Sequence, residues 1–180
     1  MPKTLLIIAL YPSAGTFTAL AAPTNPTLTT GDANEGYFNA IPIGFDFWYM
    51  GTRMTTLSAS TNGWITLGAS ATAATPVNDL SGGGSPRPLI APLWDDLDLQ
   101  ATTNLSYLTT GAVGARIFTL QYLNVKWNSP ATGAVISFQV KLYEATGKID
   151  FIYRPEAGTV AGPASVTDPY YLYLKKRQVN

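Results

Sequence analysis

The chain has 180 residues, enough for one domain with a sizeable core, and 46% of them are apolar. Eleven basic residues balance eleven acidic ones, so no net field attracts nucleic acid or an anionic membrane, and little long-range repulsion holds copies apart. Cys and His are both absent, which excludes disulfides, thiol nucleophiles, thiolate or imidazole metal sites and a Ser-His-Asp triad.

Residues 1–10 carry two open readings. Lys3, the apolar run Leu5 to Leu10 and the small residues Ala19 to Ala22 have the layout of a signal peptide. Tyr11-Pro12-Ser13 interrupts the run early, which favours a buried or intersubunit strand instead. The run falls short of the ~20 apolar residues of a membrane span.

Strand patterns with turn punctuation then follow one another, with no sustained helical period. Thr16 to Leu20 is expected to form a strand, and Ala22 to Tyr37 a polar loop. In Ile43 to Tyr49, the residues Ile43, Phe45 and Phe47 share one face, and Gly44, Asp46 and Trp48 the other. Met50-Gly51-Thr52 is a turn. Thr55 to Ala59 and Trp64 to Leu67 are short strands flanking Asn62-Gly63, a strong two-residue hairpin signal because both residue types tolerate positive φ. Ala69 to Pro88 is a long loop containing Ser81 to Ser85, too Gly-rich for a strand. An apolar run, Leu89 to Trp94, ends in Asp95-Asp96-Leu97-Asp98.

Four strands follow, at Leu105 to Thr109, Arg116 to Trp127, Val135 to Tyr143 and Lys148 to Arg154. Ile136, Phe138, Val140 and Leu142 alternate with Ser137, Gln139, Lys141 and Tyr143, the period of a strand with one buried and one wet face. Ile149, Phe151 and Tyr153 continue the inward face. A last strand is expected at Tyr170 to Leu174. About nine or ten strands without helices predict an all-β fold, an antiparallel, jelly-roll-like β-sandwich, in a single domain over residues 1–180.

Several stretches resemble a β-sandwich module of large bacterial secreted and cell-surface proteins, adhesin-like and exported by the type IX route. They are Ser13 to Leu20, Ile41 to Phe47, Ser58 to Ile65, Leu89 to Leu97, Ile136 to Glu144 and Gly147 to Tyr153. Ile90-Ala91-Pro92-Leu93-Trp94-Asp95-Asp96 is also similar to the signature of nidogen-type extracellular domains. The resemblance covers roughly residues 11–154 and implies a secreted or cell-surface location and an architectural rather than catalytic role.

Asp95, Asp96 and Asp98 are oxygen ligands of the type Ca²⁺ takes, in a spacing unlike that of a calcium loop. The competing reading is a turn whose carboxylates bond local backbone N–H groups, and it is the one adopted here, with no cofactor expected. The same residues with Glu144 or Glu156 supply the residue types of a glycosidase pair and nothing further. The chain is therefore read as a non-enzyme. Trp64 and Trp94 sit among apolar neighbours and are expected in the core. Trp48 and Tyr143 fall on outward phases and are the candidate glycan contacts. Asn104-Leu105-Ser106 fits a glycosylation triplet, a pattern frequent by chance. The expected partners are copies of the chain itself, through Leu5, Leu6, Ile7, Ile8 and Leu10 and through Tyr171 and Tyr173. Surface glycans are the alternative, with no nucleic acid and no membrane span.

Overall fold

The computed structural model describes residues 15–78 and 87–159. Two antiparallel sheets face each other. The first contains β1 (Tyr37–Tyr49), β2 (Thr52–Ser60), β3 (Ile65–Leu67) and β4 (Leu89–Ile90), in that order. The second contains β5 (Leu97–Asp98), β6 (Leu105–Thr110), β7 (Ile117–Trp127), β8 (Ile136–Tyr143) and β9 (Ile149–Pro155). β5 and β6 pair with successive parts of β7, separated by a 3-10 turn at Thr102–Asn104. The sandwich and its strand count match the sequence reading. The path is two successive meanders, with the chain crossing between sheets after β4, and not the back-and-forth alternation of a jelly roll.

Alternation sets the core. Phe38, Ile41, Ile43, Phe45 and Phe47 of β1 point inward and are buried, while Pro42, Gly44, Asp46 and Trp48 point out. Opposite them lie Phe118, Leu120 and Tyr122 of β7 and Phe138, Val140 and Leu142 of β8. A register slip of one residue would turn all of these to solvent, so the pairing is strongly specified. Tyr122 stacks on Phe138 at 4.3 Å and donates its hydroxyl to the Ser60 carbonyl at 2.9 Å, a polar tie between the sheets inside the core. Phe151, expected to be buried with this set, is half-buried. It packs on the core together with Ile149 and Tyr153, from the last strand of the second sheet.

β1 bulges twice. Asn39 and Ala40, between Phe38 and Ile41, face Ser58 alone, and the segment between Pro42 and Phe47 faces Thr55 alone. Positive φ at Ala40 and Gly44 accompanies these bulges. They bend the strand toward the second sheet, where Thr109 Oγ1 donates to the Ile43 carbonyl at 2.7 Å and Arg116 Nη1 to the Gly44 carbonyl at 2.7 Å.

Two expectations fail on the outer face of the second sheet. Thr16 to Leu20 forms no strand. It crosses the outer face of the second sheet, with its backbone bonded to side chains: Gln139 Nε2 donates to the Thr18 carbonyl at 2.8 Å, and the Leu20 N–H donates to Gln121 Oε1 at 3.0 Å. The outer face of β8 is consequently not wet throughout, and Ser137 and Gln139 are fully buried. The proposed last strand, Tyr170 to Leu174, lies outside the described residues.

Asn62-Gly63 does turn the chain, but differently. Only Gly63 has positive φ, +77°. Gly63 N–H donates to the Ser60 carbonyl and Ser60 N–H to the Trp64 carbonyl, the pattern of a type I turn closed by a left-handed glycine. The turn is buried rather than exposed, because the Leu93 to Leu97 segment docks on it. Leu93 N–H donates to Gly63 O, Asp95 N–H to Asn62 O, and Leu97 N–H to Asn62 Oδ1. Trp64 and Trp94, buried as expected, both donate their indole N–H to the Thr75 carbonyl, at 3.3 and 2.9 Å. Two motifs thirty residues apart in sequence thus form one structural unit.

Candidate contact surface at the hairpin end

The carboxylates after Trp94 make local turn bonds. Asp95 is buried, and its Oδ1 accepts the Asp96 N–H at 2.8 Å. Asp98 Oδ1 accepts the Gln100 N–H at 2.6 Å, and its Oδ2 lies 3.5 Å from Lys126 Nζ. These are the local turn bonds anticipated for Asp residues at a strand end. Among the described residues no group of three or more acidic side chains is arranged to hold a metal ion. Burial, and then the negative charges of Asp95 and Asp98, push the Asp96 carboxyl above its usual range. Burial likewise raises Glu35, against the opposing hydrogen bond from Asn62. Glu156 is tied to Ser137 and Arg154. The Asn104 amide donates to the Leu99 carbonyl at 2.7 Å, so this glycosylation triplet has its acceptor nitrogen engaged. A shallow groove of about 350 Å³ beside β2 is bordered by Thr55, Gly68 and Arg87 and, among the described residues, by no carboxylate.

The other end of the sandwich differs. Three hairpins meet there. Met50 and Gly51 join β1 to β2 with φ of +49° and +77°, the two positive values of a type I′ turn. Gly111 to Arg116 lead from β6 to β7, and Glu144 to Lys148 join β8 to β9. The Glu144 carboxylate ties the second and third together. It accepts the Gly114 N–H at 2.9 Å, the Arg116 N–H at 3.0 Å and Arg116 Nε at 2.8 Å, while Arg116 Nη2 completes the bidentate pair. Arg116 also lies 5.5 Å from the centre of the Phe45 ring. The guanidinium and the backbone donors hold Glu144 down to about 2. A Cβ placed on Gly147 would come within 3.7 Å of the Trp48 carbonyl, so the first and third hairpins are neighbours.

This end carries most of the exposed large apolar side chains among the described residues. Among the described residues four large apolar side chains are exposed, and three of them stand here: Trp48 at 61%, Met50 at 83% and Val113 at 85%. Trp48 is opposite Arg53 in the β1–β2 ladder, and Arg53 is paired with Asp46 at 2.7 Å, both half-exposed. Tyr143 is half-buried, with Lys148 Nζ 4.4 Å from its ring centre and Asp150 beside both. The structure therefore brings the two anticipated glycan contacts, Trp48 and Tyr143, to one end. Met50 and Val113 were not anticipated. The signal for Val113 was its place between Gly111 and Gly114, since a residue in a glycine-closed turn has no route to the core. The self-association residues Leu5, Leu6, Ile7, Ile8, Leu10, Tyr171 and Tyr173 lie outside the described residues.

Among the described residues no helix is long and apolar enough to cross a membrane. No curated protein and no solved structure matches the chain. A family model described as NIDO related matches residues 9–168, nearly the whole length, and takes in both the buried Thr61 to Trp64 turn and the Trp94-Asp95-Asp96 segment docked on it. The chain belongs to the NIDO-related family.

Proposed function

We propose that the chain is a non-enzymatic extracellular module that works by contact, as a structural or adhesive subunit associating with copies of itself in a surface filament or layer. The observation that carries this reading is the clustering of Trp48, Met50 and Val113 on an end braced by the Arg116–Glu144 pair. Concentrated exposed apolar surface on a rigid scaffold marks interaction sites. The zero net charge favours association in the same direction. The terminal segments, residues 5–10 and 171–173, are further contact strands in this proposal, by addition to a neighbour's open sheet edge.

A second reading is carbohydrate binding. An exposed indole beside the half-exposed Asp46–Arg53 pair combines a flat apolar face with hydrogen-bonding groups, the composition of a pyranose platform. The test is sedimentation velocity over a concentration series, together with a glycan array, on the wild type and Trp48→Ala. Concentration-dependent growth that Trp48→Ala weakens supports the first reading. Glycan binding by a strict monomer overturns it in favour of the second.

A further inference from the structure

We propose that the outer face of the second sheet is an acceptor site for residues 16–20 of another copy of this chain, with Ala22 as the exchange hinge. The inference rests on the self-association reading above.

The acceptor is a row of polar side chains in register across three strands, with Ser106 of β6 opposite Gln121 of β7 and Gln121 opposite Gln139 of β8. All three are buried, at 3%, 2% and 0% exposure. Gln139 Nε2 is shared between Gln121 Oε1 at 3.0 Å and the Thr18 carbonyl at 2.8 Å, and Gln121 Oε1 also takes the Leu20 N–H. The row grips a crossing segment only through its backbone, so the grip is indifferent to which copy supplies that segment. Gln139 Oε1 is buried and has no hydrogen-bond partner among the described residues.

The segment also places the Phe17 ring 4.4 Å from Arg154 Cζ. Beyond it the chain is firmly anchored. Thr24 exchanges two backbone hydrogen bonds with Tyr107, both 2.9 Å, and Asn25 Nδ2 donates to the Thr103 and Leu105 carbonyls. Between strap and anchor, Ala22 is exposed and held at φ +51°, a conformation that costs an L residue with a Cβ. Exchange keeps every strap contact and lets Ala22 extend, so relief of hinge strain is the difference between the closed and exchanged forms. Strained short hinges favour such exchange.

The absence of Cys makes the test clean. Full-length Thr18→Cys and Lys141→Cys, two single variants that leave both glutamines in place, are mixed at high concentration and treated with a short bis-maleimide. Exchange yields a mixed covalent dimer. Ala22→Gly, which removes the strain without disturbing the fold, should cut the yield of that dimer by about tenfold. The double variant Thr18→Cys/Lys141→Cys reports the strap in its own copy. If the double variant links only within one chain and the mixed singles never join, exchange is overturned. Should light scattering still show oligomers in that case, self-association stands without exchange. A chain that stays monomeric at every concentration overturns both.

Discussion

Replacing Gly63 with Ala should be among the most damaging single-methyl additions in this chain. Gly63 has φ +77°, and a Cβ there would lie 2.0 Å from the Leu93 carbonyl oxygen and 2.7 Å from Leu97 Cδ1. The Leu93 to Leu97 segment would have to retreat by more than an ångström, stretching the bonds from Leu93 N–H, Asp95 N–H and Leu97 N–H to the turn. The left-handed conformation costs Ala about 1 kcal/mol, and each buried hydrogen bond lost about 1 kcal/mol more. The expected loss is therefore ~4 kcal/mol, or roughly 8–16 °C in Tm for a domain of this size. Gly51 is the control. Its φ is also +77°, yet nothing lies within 4 Å of a Cβ placed there, so Gly51→Ala should cost only about 1 kcal/mol. Urea unfolding followed by tryptophan fluorescence measures both variants. Equal losses at the two positions would show that docking on the Asn62-Gly63 turn is not what constrains Gly63.

Tyr122→Phe removes the hydroxyl bonded to Ser60 O inside the core and should cost about 1–2 kcal/mol by the same assay. Glu144 titrates near 2 in the fold, against an ordinary value of 4.5. Its stabilising effect is thus complete above about pH 4.5 and fades as pH falls toward 2, so the Tm gap between wild type and Glu144→Gln should close over that interval. Asp96 has the opposite shift, so its charged form opposes folding at neutral pH. Asp96→Asn should raise Tm at pH 7, an advantage that disappears in acid. Trp48→Ala should change stability by less than about 0.5 kcal/mol in calorimetry while weakening partner binding, because the indole is exposed.

Alternation made β1 and β8 legible because inward and outward residues differ in polarity at every step, and the same phase put Trp48 and Tyr143 outside. The strap was misread because Thr16 to Leu20 has strand-like residues but bonds to glutamine side chains instead of a neighbouring strand, a pairing no local pattern encodes. Gln139 was misplaced for the same reason, since its polarity says nothing of a segment folding over it from 120 residues away, whereas Ser137 is bonded to Glu156 and the Asn124 N–H. The Asn-Gly dipeptide announced a turn, but its type and burial depended on a distant loop. At the hairpin end, the aromatic members were legible, whereas Met50 and Val113 became meaningful only once three turns were found side by side.

The double bulge in β1 bears on how the chain avoids uncontrolled polymerisation. A thirteen-residue strand at the margin of a sheet is a ready template for indiscriminate growth. Here the strand is bent off the plane of its sheet, Pro42 and Asp46 face outward, and the Ile43 and Gly44 carbonyls are already occupied by Thr109 and Arg116. An incoming flat strand would find neither a straight track nor free acceptors along that stretch. Straightening β1 by deleting one bulge residue would be expected to make the chain amyloid-prone, detectable as thioflavin-positive fibres.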